Sequence, residues 1–190
     1  MKITSVDVIL VTLGRAATAS SPWNPTVVRI NTDEGVSGYG EMGLTYGRAK
    51  NAAFGMARDF GRMILGMDPM NNEQIWDRLH RSTFWGMGGG GVIMGAVSAI
   101  DIALWDIKGK ALGVPCYQLL GGRTNSRLRA YASQIQFDWG RESRSLVRPE
   151  EYAEAARKAV AEGYDAVKVD PVGFDGEGVW YGHRTYGLMD

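Results

Sequence analysis

Between residues 3 and 12 the chain alternates in polarity. Val6, Val8 and Leu10 fall on one parity, with Ile3, Ser5, Asp7 and Ile9 on the other, which is the period of a half-buried strand. After an irregular stretch over 14–25, a second strand is predicted from Thr26 to Thr32. Asp33-Glu34-Gly35 turns it, and residues 36–41 return as a third strand. The period then changes. Ala53, Ala57, Phe60 and Ile64 recur at helical spacing until Pro69. Asn71 with Gln74 has the form of a capping box opening a second helix that runs to about Phe84. A third helix has the clearest pattern: Ile93, Val97, Ile100, Leu104, Ile107 and Ala111 form one apolar stripe, and Gly113 and Pro115 supply its stop. Asp106 and Lys110 add an i,i+4 pair in the favourable order.

Beyond residue 122 the pattern differs. A short strand is predicted over 128–133, followed by a polar, irregular stretch to Arg148. Pro149, with Glu150 and Glu151 in the first turn, opens a helix whose apolar face is Tyr152, Ala156, Ala159 and Val160. Residues 164–170 form the next strand, closed by Pro171. Strand, helix, strand at these lengths is a βαβ unit with parallel strands. The expectation is therefore two domains. Residues 1–122 form an α+β domain, a three-stranded antiparallel meander plus helices. Residues 123–190 are the first strands of a β/α barrel that this many residues cannot close, since a barrel needs roughly 200 or more. The chain reads as the front half of a longer one.

Composition narrows the function. The 190 residues are 45% hydrophobic and 22% charged, with 21 basic and 21 acidic side chains, which fits a globular protein and excludes disorder. Zero net charge removes the driving force for nucleic-acid binding or a polybasic membrane contact. Cys116 stands alone, so no disulfide framework forms. His80 and His183 are too few for a histidine-based zinc centre. No apolar run approaches the roughly 18 residues of a membrane span, and Asp7 interrupts the N-terminal stretch, which reads as a strand and not a signal peptide. A cytoplasmic location is expected.

Two matches to the dinucleotide fingerprint fail on context. Gly86, Gly88 and Gly91 follow a helix where a strand is required. Gly38, Gly40 and Gly43 lie in the returning arm of a hairpin. No G-x-S-x-G marks a serine nucleophile. The informative pair is Lys168 and Asp170, two apart on a predicted strand and so on one face, with Val167 and Val169 on the other. With the valines toward helices, Lys168 and Asp170 face the barrel axis at the strand's C-terminal end, where barrel active sites are built. A solvated ion pair is the alternative. His80 reads as a partly exposed surface histidine, Cys116 as a small buried hydrophobe, and His183 as a loop residue able to reach a substrate. Residues 14–25, with Trp23, and 43–46 are candidate covering loops, against the default of plain surface connections.

The segment AVSAIDIALWDIKGKALGVPCYQLLGG (96–122) resembles the mandelate racemase/muconate lactonizing enzyme group of the enolase superfamily. The opening strand, VRINTDEGVSGYGE and AVKVDP are similar to that family in the expected order. The resemblance implies an α+β capping domain followed by a modified TIM-like barrel. It implies a divalent metal, usually magnesium, bound to a substrate carboxylate, and a base that removes the α-proton to give a stabilised enediolate. Lys168 matches the first lysine of the family's K-x-K motif, and Asp170 replaces the second, which is the base in racemases and cycloisomerases. K-x-D-P is similar to the acid-sugar dehydratases of the galactonate dehydratase type, so the resemblance implies a hydro-lyase acting on a sugar acid. Lys168 and Asp170 are then the catalytic candidates, Trp23, Thr45, Tyr46 and His183 the substrate-binding ones. The magnesium ligands are expected beyond residue 190, so no metal-binding residue is assigned and these 190 residues alone are expected to be inactive. A homo-oligomer with no nucleic-acid or membrane partner is expected. The alternatives are a racemase or epimerase of the same family, or a non-catalytic truncated product keeping the capping domain as a folding or oligomerisation module.

Overall fold

Strands β1 (Ile3–Leu10), β2 (Thr26–Thr32) and β3 (Ser37–Met42) pair antiparallel in the order β1-β2-β3 in the computed structural model, as the alternation predicts. The structure describes residues 1–11, 25–43, 50–140 and 144–170. Val8 stands opposite Val28, and Val28 opposite Gly40. Val28 and Ile30 are wholly buried. Arg29 and Asn31, on the other parity, build a polar ladder: Arg29 Nη2 donates to Asp7 Oδ2 at 2.7 Å and Asn31 Nδ2 to Ser5 Oγ at 2.8 Å. One face packs and the other is wet, the ordinary arrangement for an antiparallel sheet.

The packed face is covered by helices. Helix α1 (Lys50–Met63) buries Ala53, Ala57 and Phe60. Helix α2 (Asn72–Arg81) buries Ile75 and Leu79. The expected capping box at its start is absent: the Asn71 amide bonds the Gln74 side chain at 3.5 Å and leaves the helix backbone uncapped. Nor does α2 run on to Phe84. Thr83 turns extended, and its hydroxyl accepts the Gly86 N–H at 2.8 Å, which starts a separate short helix, α3 (Phe84–Gly88). Helix α4 (Gly91–Leu112) is the centre of this unit, and α5 (Cys116–Leu119) follows its Gly113 stop, where φ is +68°. The predicted stripe is buried at Val97, Ile100, Leu104 and Ile107, whereas Ala111 is exposed. Ala96, Ala99 and Ala103 are buried as well. The helix is therefore enclosed on more than one side, as an apolar helix with a weak polar face must be.

The glycines of β3 explain how α4 sits so close. A methyl group on Gly40 would collide with the carbonyl oxygen of Ala99, and one on Gly38 with that of Ala103. The G-x-G spacing there serves helix-on-sheet packing, with no phosphate involved. Gly86 does the same work against α2, since its Cβ would lie 2.5 Å from the Leu79 carbonyl oxygen. Asp106 and Lys110 also do more than stabilise a helix surface. Asp106 Oδ2 accepts the Tyr39 N–H at 2.9 Å and Lys110 Nζ at 2.7 Å, while Lys110 Nζ also donates to the Ser37 carbonyl at 2.8 Å. The pair fastens the edge strand to the helix.

The chain divides into two compact units between Thr124 and Asn125. In the second, the extended stretches predicted over 128–133 and 164–170 do not form full strands. They meet in a single parallel bridge, Ala132 with Val167. It is closed by Ala132 N–H to the Ala166 carbonyl at 2.9 Å, Lys168 N–H to the Ala132 carbonyl at 2.7 Å and Ile135 N–H to the Lys168 carbonyl at 3.3 Å. Helix α6 (Pro149–Ala161) joins them, with proline at N1 as predicted. Its alanines, Ala155 and Ala159, pack with Ala132, Ile135 and Leu146. Val167 and Val169, expected on the helix side, stay 44% and 38% exposed, because α6 packs on Ala132 and Ile135 instead.

Candidate active site

Lys168 and Asp170 lie at the end of the parallel bridge, both exposed. Among the described residues Lys168 is held through its backbone, its N–H and carbonyl both engaged in the bridge. Asp170 is held by a side chain. Gln136 Nε2 donates to Asp170 Oδ2 at 3.3 Å, and Gln136 Oε1 accepts the Asp170 N–H at 3.3 Å. Gln136 sits in a 3-10 turn, Ile135–Phe137, that follows the first extended stretch, so the ends of both stretches converge on one place.

That turn is bracketed by left-handed backbone. Gln134 has φ +64° and Asp138 φ +69°, neither a glycine. Such positions cost of order 1–3 kcal/mol each and persist only where surroundings hold them. Asp138 is held firmly: its Oδ1 accepts the Trp139 N–H at 2.7 Å and Lys158 Nζ at 3.3 Å, and its Oδ2 accepts Arg144 Nε at 3.2 Å. Burial works to raise its pKa, but the Trp139 N–H and the Lys158 ammonium outweigh it and leave the carboxyl below its ordinary range. Glu151 anchors the next turn. The Arg148 N–H, the Arg144 guanidinium and the Val147 N–H lower its pKa to about 2.

Trp23, Thr45, Tyr46 and His183 lie outside the described residues. His80 is half-buried and stacked on Trp76 at 4.6 Å, within the first unit. Cys116 is half-buried too, less enclosed than a core hydrophobe, with Sγ donating to the Trp105 carbonyl at 3.4 Å. Among the described residues no group of three His, Cys, Asp or Glu side chains converges to hold a metal ion. Asp170 with one amide offers far fewer than the roughly six oxygen ligands magnesium takes, so these residues do not build a site for it. Gln136 was not foreseen. It stands in an aperiodic polar stretch, and only the pairing of distant segments reveals that it is buried.

The pattern of the family "Mandelate racemase / muconate lactonizing enzyme, N-terminal domain" matches residues 5–121. The chain belongs to this mandelate racemase/muconate lactonizing enzyme family. Among curated relatives, it is 46% identical over 105 residues to D-galactonate dehydratase of Variovorax paradoxus, covering 55% of this chain and 26% of the relative. A solved member of the enolase superfamily from Salmonella Typhimurium is 56% identical, with a TM-score of 0.86 over 94% of this chain and 44% of that one. An enolase from Pantoea ananatis solved with d-gluconate and Mg is 32% identical, with a TM-score of 0.72 over 89% of this chain and 36% of that one. The chain thus spans less than half the length of each of these proteins. The first unit is the family's α+β N-terminal domain, in agreement with the fold expected from the meander and helices.

Proposed function

We propose that the complete protein is a magnesium-dependent hydro-lyase that removes water from a sugar acid, and that residues 123–190 open its β/α barrel. The observation that carries the proposal is the placement of Lys168 and Asp170, the K and D of a K-x-D-P sequence, beside a parallel bridge, in a chain 46% identical over 105 residues to a D-galactonate dehydratase. In this reaction the proton on the carbon next to the carboxylate is removed, and the hydroxyl on the following carbon leaves as water. The resulting enol becomes a 2-keto-3-deoxy acid. Bound magnesium would stabilise the charge on the substrate carboxylate. Among the described residues no group of three His, Cys, Asp or Glu side chains could hold it.

Lys168 supplies an ammonium on the carboxylate side, where it stabilises negative charge as it grows. Asp170 presents a carboxylate oxygen to the substrate beside it. The cytoplasmic location and homo-oligomeric state expected above belong to the same reading; among the described residues, no helix is long and apolar enough to cross a membrane.

The test is incubation of the complete protein with magnesium and a panel of sugar acids in D2O. Formation of a 2-keto acid with loss of water from one or a few of them supports the proposal. Deuterium exchange at the α-carbon with the hydroxyl retained would point to an epimerase. A protein that neither exchanges nor dehydrates any member of the panel overturns the assignment.

A further inference from the structure

Among the described residues Gln136 is the one polar side chain in the set of largest fully buried ones, 2% exposed, next in sequence to Ile135 of the second unit's apolar cluster. An amide is buried at a cost unless both of its ends are paired. Both ends are paired here, and with the same residue, 34 positions away: the N–H and the carboxylate of Asp170. The backbone that delivers the amide is equally constrained. The Leu146 N–H donates to the Gln136 carbonyl at 2.9 Å. Left-handed Gln134 and Asp138 fix the turn on either side, the latter clamped by Arg144 and Lys158. Strain of this kind, held by a dedicated network, accumulates where a side chain must be aimed.

We propose that Gln136 is a positioning residue for Asp170, an inference that rests on the reading of Asp170 as a group that meets the substrate. The amide grips both the backbone and Oδ2 of Asp170, which fixes the carboxylate's rotamer and plane. Oδ1 has no hydrogen-bond partner among the described residues, so one oxygen is tethered and the other is offered outward. The amide nitrogen holds the exposed carboxylate while the amide oxygen holds the backbone N–H of the same residue, so side chain and main chain of Asp170 are fixed together.

Three variants of the complete protein test this: Gln136→Glu, Gln136→Met and Asp170→Asn. In Gln136→Glu an oxygen still accepts the Asp170 N–H, but the donor to Oδ2 is replaced by a second carboxylate. Like charges at this distance favour protonation of one of them. The acid limb of the kcat/KM profile should therefore move to higher pH, with kcat/KM at neutral pH at least tenfold lower and the far-ultraviolet dichroism unchanged. Gln136→Met removes both contacts and should lower kcat at least tenfold with little change in KM. If Asp170→Asn lowers kcat/KM at least tenfold while Gln136→Glu keeps the wild-type profile and rate, the positioning role is overturned and the reading of Asp170 stands. If Asp170→Asn is kinetically normal, the reading of Asp170 fails and the inference falls with it. Should Gln136→Met not fold, Gln136→Asn takes its place, since it keeps the amide but falls one methylene short of Asp170: kcat lowered at least tenfold with little change in KM supports the positioning role, and a folded variant with unchanged kcat overturns it.

Discussion

Replacing Gly40 with alanine tests whether the closeness of β3 to α4 organises the first unit. The added Cβ would meet the Ala99 carbonyl oxygen head-on, with the Ala99 carbonyl carbon at 2.9 Å and the Ala103 nitrogen at 3.0 Å. Comfortable separations are about 3.5–4.0 Å, and the carbonyl oxygen is the nearest obstacle, so the helix must retreat by more than about 1 Å. A gap of about 0.5–1 Å already forfeits about a quarter to a half of the dispersion attraction across the interface, and this one exceeds it. The obstacles are backbone atoms, and no rotamer change can relieve them. Overpacking typically costs about 1–3 kcal/mol, and a backbone collision belongs at the upper end. The stiffer unfolded chain of alanine returns about 0.4–1 kcal/mol, leaving a net loss of about 2–3 kcal/mol. At roughly 2–4 °C per kcal/mol for a chain of this size, Tm should fall by about 4–12 °C, followed by circular dichroism at 222 nm. Gly43→Ala is the control: among the described residues nothing lies within 4 Å of its Cβ, and it should stay within about 0.5 kcal/mol of wild type. A Gly40→Ala protein that melts within about 1 °C of wild type would refute the reasoning.

Other outcomes follow from single contacts. Asp106→Ala removes the acceptor for the edge-strand Tyr39 N–H and the partner of Lys110; a loss of about 1–2 kcal/mol is expected in urea unfolding, against the few tenths an ordinary helix-surface pair would give. Thr26 is wholly buried and its hydroxyl has no partner among the described residues, so Thr26→Val should raise stability by about 1 kcal/mol; a clear loss would show that the hydroxyl is satisfied. Glu151 has its folded pKa lowered to about 2 from 4.5. A depressed carboxyl gives stability that is complete above the unfolded value and is lost as pH falls through the folded one. Trp139 fluorescence should therefore report weakening of the second unit between about pH 4.5 and 2, and Glu151→Gln should flatten that dependence.

The meander and the α4 stripe were legible because their signals are local. Residues two apart on a strand, or three and four apart on a helix, carry their burial in the sequence itself. Gly113 and Pro149 were legible for the same reason, each marking a helix end by its own backbone chemistry. The break between α2 and α3 was missed because Thr83 competes with the helix through its own hydroxyl, a choice that periodicity does not record. The extra burial of Ala96, Ala99 and Ala103 depends on glycines some sixty residues earlier in the sequence. In the second unit, two predicted strands shrank to one bridge, since strand pairing is decided by tertiary partners more than by propensity. Parity and position single out Lys168 and Asp170 in the sequence as candidates. Gln136 could not be found, because its meaning lies entirely in a contact 34 residues away.

The central claim is that Lys168 acts on the substrate carboxylate in a dehydration. It is tested most directly by steady-state turnover of Lys168→Met in the complete protein, on the sugar acid that the wild type dehydrates. The substitution keeps the length of the side chain and removes its charge. The account predicts a folded variant whose kcat is lower by on the order of 10²–10³, the usual consequence of losing one charge-stabilising group. A folded Lys168→Met protein with near-normal turnover would contradict it, and would reduce Lys168 and Asp170 to solvated charges at a strand end.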